Sequence, residues 1–102
     1  MSVVVVATIV PLAEHRDEVL AAVRATIEQV HNENGCELYA LHEAPDRLVM
    51  VEKWVSGDAL AVHSRGPALA ALGPSLAGKV TGAPDVVVLQ AVPAGDPDKG
   101  AL

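Results

Sequence analysis

His63 follows Trp54 by nine residues, and Trp54 follows Glu52 by two, so a base, a flat ring and a carboxyl sit close together in the chain. Imidazole takes up protons near neutral pH, an indole can align another ring, and a carboxyl beside a histidine fixes its orientation. The combination suits proton transfer at a small molecule held in an apolar cavity. Each residue also has a plainer reading. Trp54 is the main large filler available to a core of small residues, and His63 suits a partly exposed position on a short helix. Glu52, on the same strand face as Trp54, could orient His63, but an ion pair with Arg65 or Lys79 is the favoured expectation. Met50 shares that face, and with Leu72 it would add a soft apolar wall.

The other reactive side chains carry less. Cys36 is the only cysteine, which excludes an internal disulfide and multi-cysteine metal or iron–sulfur sites, and fits the reducing cytoplasm. His15 and His31 fall near the ends of a predicted helix and are assigned no chemistry. His42 lies opposite Tyr39 and Leu41 in strand parity, so His42 and Tyr39 face different sides of the sheet, with the side of each left open. No His, Asp or Glu pair has metal-ligand spacing, and no GxGxxG or GxxxxGK[ST] loop cradles a nucleotide. Thirteen acidic against seven basic residues give a net charge of −6, and no basic cluster offers phosphates a stripe. Nucleic-acid and anionic-membrane partners are therefore disfavoured.

The elements that position these residues follow from periodicity. Val3 to Val10 is a β-branched run stopped by Pro11, too short to span a bilayer and without the flanks of a signal sequence. From Glu14 the apolar period becomes helical through Val19, Leu20, Val23, Ile27 and Val30, and Asn34-Gly35 supplies the stop. Cys36 to Glu43 and Arg47 to Val55 form a hairpin around Ala44-Pro45-Asp46. Ser56 caps a second helix that Arg65-Gly66-Pro67 interrupts, and Gly73-Pro74 should bend or break its continuation. Val86 to Val92 is the last strand. The expected unit is a domain over residues 1–92 and a polar tail over residues 93–102.

The resulting order, β-α-β-β-α-β, is the ferredoxin-like α+β pattern, with one antiparallel sheet carrying helices on a single face. Yet strands one, three and four are apolar on both faces. Seventeen Ala and seventeen Val against one Trp, one Tyr and no Phe also make a core of small side chains that gains from burying more surface. A second copy covering the bare sheet face would form a dimeric α/β-barrel, so a homodimer through that face is expected.

Glu52-x-Trp54, Ser56, Ala59-Leu60 and His63, with Gly35-Cys36-x-x-Tyr39 and His42-Glu43-x-Pro45-Asp46, resemble the antibiotic biosynthesis monooxygenase domain family. The likeness is to its small quinol-monooxygenase-like members and runs from about Val3 to Val92. It implies a dimeric barrel that adds oxygen from O₂ to a phenolic or quinol-type substrate without flavin, haem or metal. Trp54 would line the cavity and His63 act as the base, with Met50, Glu52 and Leu72 in the substrate pocket. Polyketide-tailoring members carry Asn four residues before the Trp, where this chain has Met50, so quinols fit the resemblance better than anthrones. Two alternatives stand beside this reading. Haem-degrading relatives also place a histidine nine residues after a Trp, although their first-strand Asn is replaced here by Val6, Ala7 and Thr8. A non-catalytic dimeric domain binding a small apolar ligand is the other.

Overall fold

The computed structural model describes residues 1–102. The strand-like runs form β1 (Val3–Ile9), β2 (Cys36–Ala44), β3 (Arg47–Trp54) and β4 (Asp85–Gln90), and the helical pattern forms α1 (Arg16–His31), α2 (Gly57–Ser64) and α3 (Pro67–Leu76). All strand pairs are antiparallel in the order β2-β3-β1-β4, a ferredoxin-like sheet that stays open, with β2 and β4 as its edges. β4 ends at Gln90, two residues short of the sequence expectation, because Gln90 pairs with Val3 at the start of β1 and Ala91 and Val92 have no strand opposite. Beyond it the chain is exposed and makes a turn in which Asp96 accepts from the N–H groups of Asp98 and Lys99.

The helices cover one face. On it lie Val3 and Val5 of β1, Tyr39 of β2, and Leu48, Met50, Glu52 and Trp54 of β3, all buried against Val19, Val23 and Val30 of α1 and Ala68 and Leu76 of α3. Thr26 joins the buried stripe of α1 because its hydroxyl donates within the helix, to Val23 O at 2.7 Å. Tyr39 therefore faces the helices, and His42, three residues further along β2 and so of opposite parity, lies exposed on the other face.

Expectation and structure part company at the second helical region. Arg65-Gly66 divides it into two helices, with Gly66 extended and Pro67 in the first turn of α3, where its missing N–H costs nothing. Gly73-Pro74, expected to bend or break the stretch, lies inside α3, which continues unbroken to Leu76. Pro74 comes only two residues before the helix ends, and Gly73 to Ser75 are exposed, so water can serve the carbonyl that Pro74 leaves without a donor. Leu76, 7% exposed, anchors the final turn in the core. The chain then returns along the start of α1, where Leu12 N–H donates to Lys79 O at 2.9 Å and Thr81 N–H to Val10 O at 2.7 Å.

Candidate functional site

The site grows from the end of β3. Alternation puts Glu52 and Trp54 side by side on the helix face, and the Trp54 indole N–H donates to Glu52 Oε1 at 2.9 Å. Ser56 then caps α2, its Oγ accepting from Ala59 N–H at 3.1 Å, and this sets the helix phase so that His63, in the last turn, points inward. The His63 ring stacks on Trp54 with centroids 4.4 Å apart and planes 30° from parallel, and Tyr39 meets it edge-on at 5.5 Å.

A fourth residue completes the group, and the sequence reading missed it. Glu33, in the turn after α1, accepts from His63 Nδ1 at 2.8 and 3.2 Å through its two oxygens. The turn is fixed by Gly35 at φ 83°, which sits so close to α2 that a Cβ there would fall 2.6 Å from Ala59 Cβ. Val55 N–H also donates to Gly35 O at 2.8 Å. The only sequence signal was the Asn34-Gly35 stop, which marked a turn without saying that it packs on the second helix.

Above these residues lies an apolar cavity of about 240 Å³, walled by β1 (Val5, Ala7, Ile9), Val23, Met50, Leu60 and the Leu69, Leu72, Leu76 side of α3, with Val86 of β4 at its margin. Its polar lining comes from Tyr39, Glu52, His63 and Ser64, and no Lys or Arg contributes. His63, Glu52, Met50 and Leu72 thus share one cavity, whereas Trp54, fully buried, lies behind the imidazole and is not part of the wall. An indole donating to Glu52 and stacked under His63 has no surface left to present.

The expected ion pair of Glu52 is also corrected. Lys79 pairs instead with Glu18 at 3.2 Å, and Arg65 is exposed, so neither reaches Glu52, which is 4% exposed and has the His63 imidazole nearby. Burial pushes its carboxyl above the ordinary glutamate value, with the Trp54 hydrogen bond and His63 opposing the shift. Burial likewise raises the Tyr39 phenol, reinforced by the negative charges of Glu52 and Glu33, so that hydroxyl remains a proton donor. His63 Nε2 is 3.9 Å from Glu52 Oε1, makes no hydrogen bond within the protein, and is not sealed from the cavity. The site can therefore take a small, uncharged ring and present to it an imidazole nitrogen that has no hydrogen-bond partner within the protein. No cluster of three His, Cys, Asp or Glu could hold a metal ion, and no helix is long and apolar enough to cross a membrane.

This open ferredoxin-like sheet, with its one-sided helices and apolar cavity, defines a small-ligand-binding or monooxygenase-type α+β domain. Residues 2–72 match the family model described as antibiotic biosynthesis monooxygenase, and the chain belongs to that family. It is similar to the structure of Rv0793 from Mycobacterium tuberculosis, with 26% identity, a TM-score of 0.86, and coverage of 94% of this chain and 100% of that one. A crystal structure described as antibiotic biosynthesis monooxygenase shares 28% identity over 89% of this chain and 99% of its own, at a TM-score of 0.82. A conserved protein from Methanosarcina mazei Go1, 22% identical over 88% of this chain and 92% of its own, shares the fold at a TM-score of 0.82. No curated protein matches the sequence.

Proposed function

We propose that this chain is a cofactor-independent monooxygenase that oxidises a small phenolic or quinol-type aromatic with O₂, working as a homodimer in the cytoplasm. The observation that carries the reading is the unpartnered Nε2 of a buried histidine at an apolar cavity without cations. The name carried by the family and by one of the similar structures supports the same class of reaction.

In this reading His63 Nε2 takes the substrate's hydroxyl proton, and the resulting phenolate is electron-rich enough to pass one electron to O₂. The two radicals recombine on a ring carbon that bears hydrogen, forming a C–O bond to a peroxide anion. The proton returned from Nε2 makes this a hydroperoxide; loss of the hydrogen on the same carbon as a proton then forms the carbonyl and breaks the O–O bond, and the departing hydroxide takes up that proton and leaves as water. The substrate supplies all four electrons that O₂ takes up. Tyr39 and Glu52, both held toward their protonated forms by burial, are the available hydrogen-bond donors to developing negative charge on oxygen. Met50 and Leu72 supply apolar wall.

Oxygen uptake with a panel of hydroquinones and dihydroxynaphthalenes tests this. Wild-type protein should consume O₂ above the spontaneous rate, and His63→Ala should lower turnover about 100-fold or more. Equal rates in the two proteins would remove His63 from the reaction. A haem reading is disfavoured because the cavity, at about 240 Å³, lies below the roughly 300–1,000 Å³ of clefts for drug-sized ligands. Haemin titration decides it, since a Soret band abolished by His63→Ala would replace the cofactor-free mechanism.

A further inference from the structure

We infer that Glu33 is the positioning residue of the site: its carboxylate holds the Nδ1 proton of His63, leaving the lone pair of Nε2 aimed into the cavity. The inference rests on the reading of His63 as the base. A carboxylate can only accept, so at 2.8 Å from Glu33 the Nδ1 atom must donate, and a neutral imidazole that donates from Nδ1 has a bare Nε2. The opposite arrangement would put an unprotonated Nδ1 against two carboxylate oxygens and turn the Nε2 proton toward Glu52, 3.9 Å away.

The groups facing the imidazole agree with this assignment. Glu52 already accepts from Trp54, and burial inclines it to stay neutral, so it competes weakly for a proton from Nε2. Tyr39 meets the ring edge-on, and Trp54 packs under it, so neither supplies a charge. Glu33 therefore supplies the negative charge that a protonated His63 needs. When Nε2 takes the hydroxyl proton, the O–H bond breaks and an N–H bond forms, while the proton on Nδ1 stays in place. The imidazolium then lies against the Glu33 carboxylate until the proton returns to the peroxide oxygen. With its side chain 21% exposed against 4% for His63, Glu33 stays in contact with water while the base is buried, so its carboxylate avoids the full cost of a buried charge.

Long-range ¹H–¹⁵N NMR on the full chain, at a pH where the ring is neutral and with His63→Ala used to assign its signals, reads the tautomer directly. The proton should be on Nδ1 in the wild type and move to Nε2 in Glu33→Ala, with both proteins folded by circular dichroism. A wild-type proton on Nε2, or an unchanged tautomer in Glu33→Ala, would overturn the assignment. With 1,4-dihydroxynaphthalene as probe, Glu33→Ala should lower kcat about 10- to 100-fold with KM little changed, and Glu33→Asp should recover part of the loss. Wild-type kcat in Glu33→Ala would likewise overturn it. Should the wild type fail to oxidise the probe, the proposed reaction falls for that substrate, and the tautomer measurement still decides the role of Glu33.

Discussion

Glu52 is 4% exposed, and burial raises its carboxyl above 4.5, the value it has in an unstructured chain. Folding then favours the protonated form, so the folded state binds more protons than the unfolded one once the pH exceeds 4.5. The stability associated with Glu52 is thus fully present below pH 4.5 and is lost as the pH rises through the higher folded value. Glu52→Gln keeps an acceptor for the Trp54 N–H and removes the titration. Its melting temperature should gain on the wild type as the pH goes from 4.5 to 7, and parallel melting curves across that range would contradict the account. Trp54 poses the opposite problem. Fully buried, it should cost about 3–5 kcal/mol when cut to alanine. Trp54→Phe, which keeps a ring under His63 and loses the N–H and part of the indole's volume, is the milder variant for separating catalysis from folding by denaturant titration and O₂ uptake.

The elements were legible wherever pattern and punctuation agreed. Alternation placed Met50, Glu52 and Trp54 on one face of β3, and Ser56 marked the start of α2. Periodicity also shows that both sheet faces are apolar, but not which one the helices cover, so it leaves the sides of His42 and Tyr39 open. Pro74 misled because the cost of a helical proline depends on what surrounds the freed carbonyl, and local sequence does not record exposure. Glu33 was invisible for a related reason: it meets His63 across thirty residues, through a turn whose docking depends on Gly35. That turn yields a prediction at its own scale. Gly35→Ala must hold a left-handed backbone and also push Ala59 and Val55 aside, so it should destabilise the protein by at least about 1–2 kcal/mol in denaturant titration. By shifting the turn it should also weaken the Glu33–His63 contact.

Across the whole molecule the uneven burial of the sheet stands out. Every residue of β4 is exposed, with Val87 at 43% and Leu89 at 42% on the helix-free face and Val86 and Val88 at 55% and 56% on the other. Each valine left in water forgoes about 1.5 kcal/mol or more that burial would provide. Sedimentation should therefore give twice the mass of one chain, and Val87→Asp combined with Leu89→Asp should shift the protein to single chains at micromolar concentration. A well-folded single chain in the wild type would sink the dimer proposal. Val86 also borders the cavity, so a copy laid over β4 would narrow its mouth, and the disrupted variant should show a raised KM for any ring substrate.

One tryptophan serves the entire chain, and it lies under the imidazole, with the lone tyrosine 6.4 Å away. Ultraviolet light absorbed by Tyr39 passes to that indole, so almost all the intrinsic fluorescence arises at the candidate site. Imidazolium quenches indole emission, which makes the glow of unlabelled protein a gauge of whether His63 carries a positive charge and whether a guest has displaced water from above it.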